Sequence, residues 1–134
     1  NSRAIFEHKE ELGLALAKDP ERLSLLKEVL ATQASVEFLL VQANDALAAS
    51  PFLAWDLVLE AEKTSPNDPR VFSLKRSILI KALPYAQELE NADKAEDAGN
   101  WSLSITHYVN AKELNPMSKV AKEGIARVNE AMLN

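Results

Sequence analysis

The chain has 134 residues with a formal charge of -5; 47% of them are hydrophobic, only 6% aromatic, and it holds three glycines, six prolines and no cysteine. That length buries a core without disulfide or metal staples, and the Ala- and Leu-dominated apolar content suits packed helices rather than sheets. The acidic balance argues against nucleic acid and anionic lipid as partners, and the lack of cysteine removes disulfides, thiolate metal sites and cysteine nucleophiles.

No apolar run approaches the roughly 20 residues that span a bilayer. No charged-then-apolar leader opens the chain, so membrane insertion is not expected and the cytoplasm is the expected compartment. The first residue is Asn1 rather than Met, which reads as a piece of a longer polypeptide.

In chain order, residues 3–17 read as the end of a short helix, with Phe6, Glu7 and Glu11 falling opposite Trp55, Asp56 and Glu60 of a later segment. Asp19-Pro20 is a helix start: the Asp side chain satisfies a free amide and Pro presets the first helical residue. A long helix is expected from 20 to about 48. Ser50-Pro51 starts a second, of about 13 residues, whose Trp55, Val58 and Leu59 follow helical apolar spacing.

Ser65-Pro66 ends that helix and Asp68-Pro69 starts another, running from 69 to about 98, on the order of 45 Å like the first. Pro84 lies inside it, where an interior proline removes one hydrogen bond and crowds the preceding turn. The sequence allows either a kink or a break near Leu83. A turn at Gly99-Asn100 leads to a helix carrying Ile105, Tyr108, Val109 and Lys112, closed by Asn115-Pro116. Val120, Ala121, Gly124, Ile125, Val128 and Met132 then share one stripe of a capping helix over 117–132.

Placing DPERLSLLKEVL (19–30) over DPRVFSLKRSIL (68–79) and continuing onward shows internal similarity. Asp19/Asp68, Pro20/Pro69, Ser24/Ser73, Leu25/Leu74, Leu30/Leu79, Leu40/Leu89, Ala43/Ala92, Ala46/Ala95 and Ala49/Ala98 coincide at an offset of 49. After a one-residue slip, Leu53/Leu103, Ala61/Ala111 and Pro66/Pro116 coincide at 50. The chain therefore divides into units of about 19–67 and 68–116 within a single domain spanning 1–134.

The segment around residues 84–125 resembles a tetratricopeptide repeat, and residues 36–70 do so more loosely. Ala92 stands at the small slot of the first helix, Gly99-Asn100 at the turn, and Trp101 at the bulky slot after it. Ser104 occupies the crossing slot, Tyr108 and Ala111 the aromatic and small positions, Pro116 the end, and Gly124 the small slot of the following unit. Small residues at such places let helix axes approach to about 8 to 9 Å. The departures are a period of 49 to 50 in place of about 34, Ala49-Ser50-Pro51 in place of the glycine turn, and Ala95 where an aromatic is usual. The resemblance implies an all-α fold, a right-handed superhelix of antiparallel helix pairs with lengthened first helices.

Chemistry is sparse. His8 and His107 are the only imidazoles and share no metal-binding spacing. Glu88, Glu90, Asp93, Glu96 and Asp97 lack the spacing of a calcium loop and read as a solvated helix face. Trp55 and Trp101 sit at core spacing rather than as ligand platforms. No catalytic residue, cofactor or metal is expected.

The resemblance instead implies a non-catalytic module that binds a protein or peptide partner on the face of the first helices. Its groove slots fall on Leu40, Asn44 and Leu47 in the first unit and on Leu89, Asp93 and Glu96 in the second. Family members that clamp a terminal carboxylate use Lys and Asn there, so Leu89 and Asp93 favour an apolar or basic segment. The alternative is a structural homo-oligomer that stacks or dimerises through uncapped repeat ends.

Overall fold

The computed structural model describes residues 20–134. The described residues form five helices and no strand: α1 (Pro20–Ala46), α2 (Pro51–Thr64), α3 (Pro69–Asp97), α4 (Trp101–Leu114) and α5 (Lys119–Leu133). The helix expected over residues 3–17, and His8 with it, lies outside the described residues. By internal contacts the chain divides between Glu37 and Phe38, within α1. The second unit holds the last turns of α1 and all of α2–α5.

Each of α2–α5 starts where a short polar side chain can accept from a free amide. The Ser50 hydroxyl accepts from Leu53 N–H at 3.4 Å, Asp68 from Arg70 at 2.9 Å, Asn100 from Leu103 at 3.3 Å and Ser118 from Ala121 at 3.0 Å. Such caps satisfy amides that the helix itself leaves open. Proline follows Ser50 and Asp68, as the sequence leads one to expect.

The two short helices end alike. Both helices are 14 residues long, and their starts and ends differ by 50 in register. Ser65 (φ -141, ψ 81) and Asn115 (φ -136, ψ 85) end them in the same backbone conformation, each donating its N–H to an alanine carbonyl, Ala61 or Ala111. The next helix then begins at Asp68 or Ser118, whose ψ values are 119 and 117.

The entries to the short helices differ. Gly99, at φ 75, is the one left-handed residue among those described, a conformation that costs glycine little. It lets Asn100 N–H reach Ala95 O at 2.8 Å and reverse the chain tightly. The first turn, through Ala48 and Ala49, has no left-handed residue. Within the second unit α2 packs with α3, α3 with α4, and α4 with α5. Register and exit geometry thus repeat at the two short helices, whereas the glycine turn precedes only α4.

At Pro84 the structure chooses the kink. Ala82 leaves the helical region (φ -107, ψ 15), yet the helix resumes and runs to Asp97. The proline ring crowds the preceding turn and its nitrogen donates nothing, so the disturbance falls just upstream.

Small residues lie at the crossings. Ala92, Ser104, Ala111 and Ala121 are all fully buried, and the Ser104 hydroxyl donates to Ala92 O across the α3–α4 crossing at 2.8 Å. Around them pack Val58, Val71, Ile78, Tyr85, Leu89, Tyr108 and Val128. Trp55 is buried with them as its spacing requires, Lys75 Nζ lying 5.6 Å from its ring centroid, while Trp101 is half-buried. On the capping stripe Ala121, Gly124 and Val128 are buried, but Met132 is exposed.

Gly124 is a close approach in the α4–α5 contact. A Cβ added there would stand 2.5 Å from Tyr108 Cε1, in a ring whose hydroxyl is itself tied down. Gly124→Ala should therefore destabilise the fold in urea unfolding, although the same change at an open helical site gains up to about 1 kcal/mol. Ala111→Leu should lose about 1 to 3 kcal/mol through overpacking. Unchanged midpoints in both variants would mean that these crossings do not depend on small side chains.

Candidate functional site

Two polar clusters fix the position of α5, and with it the surface beside it. In the first, Asp56 of α2 is 8% exposed, an unusual place for a carboxylate. Tyr85, on α3 after the bend, donates its hydroxyl to Asp56 Oδ1, and Ser118 donates to Asp56 Oδ2 at 2.8 Å. Each hydroxyl has one proton. With both directed at Asp56, Ser118 Oγ keeps a lone pair for Ala121 N–H, and the two hydroxyl oxygens sit in contact. The backbone amides of Lys119 and Val120 also support the carboxylate, which thereby sits at the positive end of α5.

Burial pushes the Asp56 carboxyl above its ordinary range, and the hydrogen bonds from Tyr85, Ser118 and the amides pull against it. The Tyr85 phenol is raised as well, by burial first and then by its bond to Asp56.

In the second cluster, Glu96 of α3 accepts from Tyr108 Oη at 2.7 Å and from Arg127 through two nitrogens at 3.0 and 3.1 Å. Arg127 also lies 5.9 Å from the Tyr108 ring centroid. One residue from each of α3, α4 and α5 is thus joined. The Arg127 hydrogen bonds hold the Glu96 carboxyl below its ordinary range, while the Tyr108 phenol is raised by burial and then by Glu96.

These two locks frame an open groove of about 830 Å³ between α2, α3 and α5, with Leu57, Leu59, Met117 and Val120 among its lining. A smaller depression of about 490 Å³ shares Leu59, Asp93, Val120 and Arg127 with it.

Of the residues expected to bind a partner, the structure brings Leu89, Asp93 and Glu96 to this region. Asp93 is exposed and lines both depressions. Glu96 lines the larger with its charge already engaged. Leu89 is 4% exposed, so it supports the smaller depression from within the core rather than presenting a contact surface. Leu40 and Leu47 are half-buried and Asn44 is exposed, and none of the three lines either depression.

The residues that sequence reasoning missed are Asp56, Tyr85, Ser118 and Arg127. Ser118 had a signal in its position just before a helix. Arg127 lies one turn after Gly124, and Asp56, one of three acids on α2, had no local signal. Elsewhere, His107 is half-buried with Nδ1 2.7 Å from Glu88 Oε2, and Asn110 donates to the same oxygen at 3.4 Å. Among the described residues no group of three or more His, Asp or Glu side chains is placed to hold a metal ion, and no helix is long and apolar enough to cross a membrane. Compared with known protein families, curated proteins and solved structures, the chain has no match.

Ser118→Ala removes both the α5 cap and a buried donor to Asp56, so it should lower stability by about 1 to 3 kcal/mol. Ser50→Ala, which removes only a cap, should cost about 1 kcal/mol. The pH dependence has a definite sign at Glu96. Its folded value is depressed, so its contribution is present above the ordinary carboxylate range and is lost as pH falls through the folded value. Arg127→Met should reduce the loss of stability seen from about pH 5 downward. Asp56 acts oppositely: its raised value gives a contribution present below the ordinary range and lost as pH rises. Urea midpoints measured across that range check both.

Proposed function

We propose that this chain is a non-catalytic scaffold module that binds a partner peptide or helix in the groove between α2, α3 and α5. In this reading it is a tetratricopeptide-like stack coiling as a right-handed superhelix. The observation that carries it is the groove itself: an open trough of mixed apolar and charged lining, framed by the two polar clusters rather than filled by side chains.

The kink supports the family reading. It leaves residues 83–97 as a separate helical segment before Gly99, and residues 84–117 make one stretch of 34, the family's repeat length. The docking face is drawn on α3 and α5 with α2 as its wall, so Leu40, Asn44 and Leu47 fall outside it. Neither polar cluster presents a free acid and base to an open cavity, which supports binding over catalysis.

A second reading, self-assembly, has an observation of its own. Phe72 and Ile80 lie on α3 before the bend and are 63% and 81% exposed.

The two readings separate by photo-crosslinking in cells, with a benzophenone side chain at Met117 in the groove mouth, at Ile80 on α3, or at Thr106 on the far helix. Adducts to another protein from Met117 but not from Thr106 are expected. Self-adducts confined to Ile80, together with a concentration-dependent dimer in sedimentation, would replace groove binding by assembly.

A further inference from the structure

The groove is far from neutral. Six carboxylates and three cations line it. Asp56 is locked into its hydroxyl cluster, Glu96 is held by Arg127, and Glu123 has Lys119 one turn away on its own helix at 4.0 Å. Asp93 and Asp97, one helical turn apart on α3, are exposed, as is Glu60 on α2. Arg127, whose charge acts on Asp93, spends its hydrogen bonds on Glu96 and Tyr108. Partial burial together with the charges of Asp97 and Glu96 pushes the Asp93 carboxyl up, so negative charge there is under-compensated.

Beside these acids the groove is apolar. Leu57, Leu59 and Val120 are half-buried, and Met117 is 90% exposed. A purely apolar occupant would desolvate Asp93 and Asp97 without pairing them, and an acidic one would add repulsion. A purely cationic occupant would leave the floor wet.

Resting on the groove reading, we infer that the partner is a cationic amphipathic segment. Its apolar side chains cover Leu57, Met117 and Val120, and its lysine or arginine side chains meet Asp93 and Asp97. The apolar contact supplies the affinity, and the acids supply the choice of partner and the speed of encounter. Because the acids are exposed, their share is screened by salt, whereas the apolar share is not.

The test uses three labelled synthetic peptides of equal length in fluorescence anisotropy: Leu/Lys amphipathic, Leu/Glu amphipathic, and Ser/Lys without apolar residues. The Leu/Lys peptide should bind at least about tenfold more tightly than either other, as expected when both terms are needed. Asp93→Asn combined with Asp97→Asn should weaken it about 5- to 30-fold, in line with two exposed ion pairs, and flatten its salt dependence. Both positions are exposed, so an unchanged thermal melt keeps the variant interpretable.

Equal binding of the Leu/Glu or Ser/Lys peptide overturns the inference, as does a double variant that binds like the parent. If no peptide binds while Met117 still cross-links a protein, the cationic partner is wrong and the groove reading stands. Failure of both together sinks the groove itself.

Discussion

A single buried carboxylate ties together α2, α3 and α5. Asp56 leaves water on the inner side of α2, and burial of a charged group is unfavourable unless donors converge on it. Here they come from three directions: the Tyr85 phenol after the bend in α3, the Ser118 hydroxyl, and the first amides of α5. Elements separated by up to 62 residues in sequence meet at one acid. The bond is costly to break on either side, because each partner would be left buried and unpaired.

The bend and the carboxylate belong together. Tyr85 follows Pro84 directly, and the helix that carries it changes course at Ala82. Downstream of the bend, Ala92 and Ala95 face α4, whose Ser104, Tyr108 and Ala111 are buried in return. Tyr108 packs against the bare backbone of Gly124 and gives its hydroxyl to Glu96, which Arg127 also holds. The α5 helix is therefore fixed at its start by Asp56 and at its middle by Tyr108 and Glu96. The groove is the space left between helices held apart at those points, and this is why its lining mixes apolar surface with acids not consumed by the locks.

Much of the secondary structure was legible because its signals are local. Ser50-Pro51, Asp68-Pro69 and Asn100 carry their capping chemistry in adjacent residues, and the helices begin there. The small residues at Ala92, Ala111 and Gly124 were legible too, since each stands on a periodic apolar face where only close approach explains so small a side chain. The residues assigned to a binding face fall in different places: Asp93 and Glu96 line the groove, Leu89 is buried beneath the smaller depression, and Leu40, Asn44 and Leu47 line neither. Asp56 gave no warning of its role, because its partners lie 29 and 62 residues further along the chain.

By itself the sequence determined that the described residues are helical, where α2, α3 and α4 start, and that the two short helices stand at an offset of 50. All of these follow from capping, proline sterics and apolar period within a few residues. Tertiary structure alone decided that Pro84 bends rather than breaks its helix, that α2, α3, α4 and α5 pack pairwise in order, and that an open trough carrying exposed acids lies beside α5. Those outcomes depend on which distant side chains arrive at Asp56, Glu96 and Gly124, and no local pattern encodes an encounter across tens of residues.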